Sequence, residues 1–261
     1  MARNQRPGSE PPAARVCLLG ASNLTRGFRS AVRVARGNLG GPLEIFAALG
    51  RGRSYGTPSS FLGRELPGIG ECGLWPALGR AGAERALPTF GLISDVGNDV
   101  AFGVPSPLLL EWIARGADRL AESEAHTTLV GPPLESVRGV SLGAFRFWSR
   151  LFFPGRGLDR EHLLGTLEEV DGGLRELCAA RGLVFVEPAA DWYGVDPIHV
   201  RHGAQERAWR AILASWGQPE TPPWSGRVPL PAPLERRLLG LTLRRDQPAA
   251  RLTDGSPLSI Y

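Results

Sequence analysis

The sequence predicts a doubly wound α/β domain: a three-layer α/β/α sandwich built on a five-stranded parallel sheet. Two observations carry that prediction. Short apolar runs alternate with helical stretches along most of the chain, and a parallel sheet made this way is covered by helices on both faces. A third observation sharpens it: the segments rich in Gly, Asn and Ser follow strands, at the edge where ligands gather in such sheets.

The first strand is Arg15 to Gly20, a short buried run ending in glycine, and Asn23 to Ala35 has helical character. Leu43 to Leu49 is the second strand, broken by the glycine-rich stretch from Gly50 to Gly56. Leu87 to Ser94 is the third, followed by a loop at Gly97-Asn98-Asp99 and a helix from Pro107 to Glu122, with Leu109, Ile113 and Leu120 near helical spacing. His126 to Val130 forms the fourth strand. Arg160 to Arg181 is the clearest helix, with Leu163, Leu167, Val170, Leu174 and Leu177 on one face. Leu183 to Val186 is the fifth strand, and Ala204 to Trp216 the last helix.

These elements place the main domain at residues 14–217, after a flexible N-terminal arm over 1–13. Beyond Gly217 a proline-rich extension, 218–261, is expected to wrap the domain or form a contact surface. Leu239 to Arg244 and Arg251 to Ile260 are candidate short strands there, and Asp254-Gly255 is a hairpin turn signal.

Composition excludes several classes. The hydrophobic fraction of 43% and the charged fraction of 21% are those of an ordinary soluble domain. The net charge of +4 comes entirely from arginines, which are scattered among glutamates and form no basic block, so no nucleic-acid partner is expected. Cys17, Cys72 and Cys178 have no metal-ligand spacing, and Cys17 and Cys178 read as small buried residues. A reducing compartment and a cytoplasmic location are the expectation. The N-terminal stretch lacks the apolar core of a signal peptide, and no run is long enough for a membrane span.

Three segments carry chemistry: Gly20-Ala21-Ser22-Asn23, Gly97-Asn98-Asp99 and Asp196-Pro197-Ile198-His199. A serine hydroxyl becomes nucleophilic when a base takes its proton, and an acid holds that base in the right tautomer. His199 is the candidate base and Asp196 its partner, three residues away on one loop. Ser22, at the mouth of a helix, is equally placed to be a plain N-cap or part of an anion-binding turn. Asn98 serves either local turn bonding or, with backbone N–H groups of Gly52 and Ser22, donation to an oxyanion. His202 lacks an acid at the matching offset and is expected to be exposed. Asp95 and Asp99 flank Asn98, but no histidine cluster accompanies them, so no metal or other cofactor is expected.

In this order the blocks resemble those of the SGNH/GDSL hydrolase superfamily, and the match spans the main domain. The serine block is Gly20 to Thr25, the glycine block Gly50 to Gly56, the asparagine block Gly97 to Asp99 and the last block Asp196 to His199. The resemblance implies a flavodoxin-like, SGNH hydrolase-like fold. It also implies Ser22 as nucleophile, His199 as base, Asp196 as orienting acid, and Ser22, Gly52 and Asn98 as the oxyanion hole. Ala21 stands where the family usually has Asp. The glycine block aligns less cleanly, leaving Gly50 as the alternative to Gly52.

Phe145 to Phe153 is the most aromatic segment. Core packing is one reading; an apolar wall or lid for an acyl group is the other, or an interfacial patch rimmed by arginines. Phe147 and Trp148, with Arg53 and Tyr55 beside the glycine block, are the candidate substrate contacts. The leading function is a serine hydrolase of small-molecule carboxylic esters. An acyltransferase using the same intermediate and a non-catalytic binding protein on the same fold are the alternatives. Oligomeric state is not written in the sequence.

Overall fold

In the computed structural model, residues 10–219, 224–238 and 240–261 are described. Most of the expected N-terminal arm, with Pro222, Pro223 and Leu239 of the extension, lies outside them. The central sheet has seven strands: β1 (Ala14–Leu19), β2 (Leu43–Ala48), β5 (Thr89–Ile93), β6 (His126–Val130), β7 (Val184–Val186), β10 (Ala250–Arg251) and β11 (Pro257–Ile260). Its order is β10-β11-β2-β1-β5-β6-β7. The five strands read from the sequence form the parallel centre, in the order 2-1-3-4-5 of a flavodoxin-like sheet.

Every residue of β1 is buried, and its alternation feeds two cores. Val16 and Leu18 pack on one side with Phe28, Val32 and Trp209. Cys17 and Leu19 pack on the other with Ile93, Ile113 and Leu174. Burying each such aliphatic side chain is worth about 1.5–3 kcal/mol. Arg15 is tolerated inside because Nε meets Glu44 at 2.7 Å and Nη2 donates to the Ala81 and Arg85 carbonyls.

Helix α1 (Ser22–Leu39) runs one turn longer than expected and stops at Gly40, whose φ is 66°. It crosses α8 (Gln205–Ile212) closely: a Cβ on Gly27 would sit 2.1 Å from Trp209 Nε1. Helix α7 (Arg160–Arg181) has the predicted limits. Asp159 caps it by accepting the His162 N–H at 2.8 Å, and Gly182 ends it at φ 64°. Helix α4 (Ser106–Ala121) follows the same pattern, with Leu109, Ile113 and Leu120 buried.

The structure departs from expectation in three places. The sheet has two strands beyond the expected five, because Leu258–Ile260 pairs in parallel with Ile45–Ala47 and β10 folds back on β11. The turn between them contains Gly255 at φ 89°. Residues after the glycine block form a hairpin, β3 (Ser59–Phe61) and β4 (Arg64–Leu66), that pairs with β8 (Glu235–Leu238) and β9 (Leu241–Arg244) in a four-stranded antiparallel sheet. The short, polar sequences of β3, β4 and β8 give no apolar run to read, whereas β9 falls within the strand expected at 239–244. The last predicted helix is divided: α8 ends at Ile212 and a 3-10 turn carries Ala214–Trp216.

Candidate active site

Ser22 opens α1 immediately beyond β1, and Asn98 lies in α3 (Gly97–Ala101) just beyond β5, the neighbouring strand. This is where the strand order reverses, so the two helix N-termini diverge and leave a crevice. The loop after β7 brings the histidine segment to the same edge.

There Ser22 Oγ lies 3.0 Å from His199 Nε2, and His199 Nδ1 lies 2.8 Å from Asp196 Oδ2. The ionised carboxylate can only accept, so Nδ1–H donates to it, which leaves Nε2 as acceptor for the serine hydroxyl. Asp196 Oδ1 accepts the N–H groups of Ile198 and His199, each at 3.2 Å, so the acid organises the loop that carries its own histidine. Burial by itself raises the Asp196 carboxyl, but the His199 ring and these two N–H groups outweigh it and hold it below the ordinary carboxylate value. The hydroxyl therefore pairs with an imidazole and makes no cap; the N-cap position is Ala21, without a side-chain bond.

Two residues that sequence reasoning did not assign hold this arrangement. Asn23 Nδ2 donates to the Ile198 carbonyl at 2.9 Å and its Oδ1 accepts the Val200 N–H at 2.8 Å, tying α1 to both sides of His199. Asp95, at φ 64°, accepts the N–H groups of Ala21, Asn23 and Leu24. The sequence signal for Asn23 was its place beside Ser22. Asp95 carried only a suspicion of metal binding, which its three N–H partners replace with a structural role. Among the described residues no group of three or more His, Cys, Asp or Glu is placed to hold a metal ion.

Asn98 Nδ2 is buried without a hydrogen-bond partner among the described residues. An unpaired buried donor costs free energy unless something occupies it. It lies on the wall of a cleft of about 700 Å³, open mouth included, shared with Asn23, Asp95, Trp148, Phe152 and Ile198. Gly52 adopts φ 65°, but neither Gly50 nor Gly52 lines that cleft. A Cβ on Gly50 would sit 2.5 Å from Leu66 Cδ1, so close packing accounts for that glycine.

Arg53 and Tyr55 are corrected by their burial. Arg53 is wholly inaccessible, with its guanidinium donating to the carbonyls of Pro67, Leu49 and Tyr261. Tyr55 is buried too, its hydroxyl donating to the Ser94 carbonyl at 2.6 Å. Both hold loops together through main-chain carbonyls, and neither lines the cleft. Asp99, fully buried, bonds the Ser54 hydroxyl and the Tyr55 N–H, joining the glycine block to the asparagine block. Its burial raises its carboxyl despite those two bonds.

The aromatic segment forms helix α6 (Leu142–Phe152), capped by Ser141. Core packing describes only Phe145. Trp148 lines the cleft and stacks on Phe152, whose ring stands edge-on to His199 with centroids 4.9 Å apart. Phe147 is 60% exposed and does not line the cleft, but its ring stands edge-on to Trp148 with centroids 5.0 Å apart. His202 is exposed, in a 3-10 turn before α8.

No protein-family profile matches this chain, and no curated protein matches it at a significant level. Solved structures do resemble it. An aryl esterase from M. smegmatis is 16% identical over 78% of this chain and 97% of its own, with a TM-score of 0.50. A putative acylhydrolase from Bacteroides fragilis is 10% identical over 80% and 89%, also at 0.50. A GDSL-like lipase from Bacteroides thetaiotaomicron is 13% identical over 78% and 88%, at 0.49. At such identities the likeness is one of fold.

Proposed function

We propose that this chain, similar in fold to an aryl esterase and a putative acylhydrolase, is a serine-dependent hydrolase of small-molecule carboxylic esters, of the SGNH/GDSL type that its sequence blocks resemble. The single observation that carries the reading is the continuous relay from Ser22 Oγ through His199 to Asp196, at 3.0 and 2.8 Å. Ser22 Oγ attacks the acyl carbon as His199 Nε2 takes its proton. The tetrahedral oxyanion collapses, and the alcohol leaves with that proton. Water, deprotonated by the same imidazole, then attacks the acyl-enzyme, releasing the carboxylic acid and restoring Ser22.

The unpaired Nδ2 of Asn98 supports its role as an oxyanion donor. The N–H of Ser22 is the second donor: its neighbours at Ala21, Asn23 and Leu24 are all engaged by Asp95, while it has no partner among the described residues. Gly52 is the third, preferred to Gly50 because close packing on Leu66 already accounts for that glycine. An alcohol acceptor in place of water would make the same intermediate serve acyl transfer. The outer face of α6, where Phe147 and Leu151 stand beside Arg146 and Arg150, is where an interfacial contact would be made. No helix among the described residues is long and apolar enough to cross a membrane.

Fluorophosphonate labelling of the wild type and of Ser22→Ala tests the reading. Labelling confined to the wild type is expected; a folded wild type that takes no label would sink it.

A further inference from the structure

The cleft beside the relay is asymmetric in chemistry. Its lining includes Val137, Phe145, Leu163 and Leu167, and on the side of the relay Phe152 against the His199 ring with Trp148 stacked on it. Val137, Phe145 and Leu167 are buried, so this end is closed by the core. The closed end adjoins the asparagine block: a Cβ on Gly97 would lie 3.7 Å from Leu167 Cδ2. Ser22 and His199 stand outside the lining, while Asn98 is part of it. A carbonyl whose oxygen is held at Asn98 can place one of its two substituents against this lining while the other stays outside it.

We infer that this cleft is the acyl subsite, and that the enzyme takes esters of uncharged, apolar acyl groups longer than acetyl. The inference rests on the ester-hydrolase reading. Polar groups on the lining are few. Asp95 has spent its carboxylate on three N–H groups, and Asn23 bonds Ile198 and Val200. That leaves Asn98 for the oxyanion and Ser149 at the half-buried rim. An acyl chain ending in a carboxylate would lose its water there without a cation to meet it. An apolar one displaces water from aromatic and aliphatic walls, where each added methylene is worth about tenfold in discrimination at the low end. Trp148 is the specificity residue: its indole lines the cleft and stacks on Phe152.

The test is a ratio, measured with p-nitrophenyl acetate, butyrate and octanoate on the wild type, Trp148→Ala and Ser149→Glu. The ratio of octanoate to acetate kcat/KM is independent of how much of each variant folds. It is expected to exceed about tenfold in the wild type and to fall by about tenfold in either variant. A parallel series of acetate esters with lengthening alcohols should show no such dependence on Trp148. A wild-type ratio near unity, or variants that alter the alcohol series instead, would overturn the assignment while leaving the serine mechanism standing. If no ester is turned over and Ser22 takes no fluorophosphonate, the underlying function falls instead.

Discussion

The carboxylate of Asp95 accepts the main-chain N–H of Ala21 at 2.8 Å, so a residue at the end of one strand caps the helix that opens after another. With Asn23 and Leu24 at 3.1 and 3.0 Å, it engages the first turn of α1 on both sides of Ser22 and leaves the Ser22 N–H free. Asp95→Asn keeps a side chain that tolerates the positive φ but turns an amide NH2 toward these N–H groups. A fall in kcat of about tenfold is expected, with KM within about twofold and the phosphonylation rate falling in parallel. A change confined to thermal stability would reduce Asp95 to an ordinary cap, worth about 1 kcal/mol.

Removing the unpaired donor tests the oxyanion hole. Asn98→Ala is expected to lower kcat by about 10²-fold, about 3 kcal/mol of transition-state stabilisation. Because Nδ2 has no partner in the free protein, the melting temperature should hold or rise slightly. Unchanged turnover would remove Asn98 from the mechanism.

The acid dependence of stability separates a half-buried and a buried carboxylate of opposite shift. Asp196 is held below its ordinary value, so its contribution is full above about pH 4 and is lost as pH falls through its folded value. Asp99 is raised by burial, so its contribution is full below about pH 4 and declines as pH rises through the raised value. Denaturant unfolding across acidic pH should therefore show a shallower acid loss in Asp196→Asn than in the wild type. For Asp99→Asn the decline above about pH 4 should disappear. Identical pH curves for both variants and the wild type would contradict these shifts.

Arg53→Met discriminates loop anchor from substrate residue. The guanidinium holds three carbonyls inside the protein, and the variant leaves them unpaired at about 1–3 kcal/mol each. A lower denaturation midpoint with unchanged KM for a soluble ester is expected. A raised KM in folded protein would restore Arg53 to the site.

The strands and long helices were legible because burial on both faces writes itself as apolar runs. The limits of β6 and α7 match their predicted ends, where His126 and Gly182 change the pattern. Ser22 and His199 could be paired in role but not set at a distance, since 177 residues separate them in the chain. Arg53 and Tyr55 misled because sequence position beside a glycine says nothing of direction: both turn inward. Asp95 was hidden for the opposite reason, since its partners are main-chain N–H groups that no side-chain motif records. The antiparallel hairpin was missed because its pairing partner, β8, lies far downstream in a polar segment.

The pairing of Leu258–Ile260 with Ile45–Ala47 has a consequence for assembly. Until residues from the far end of the sequence arrive, β2 is a bare sheet edge of apolar residues, the kind of template on which other chains add. The growing chain carries that sticky edge until Leu258–Ile260 have been made, long after β2 itself is complete. Aggregation during expression should therefore respond most sharply to changes in the segment that seals it, even where the crevice around Ser22 is untouched.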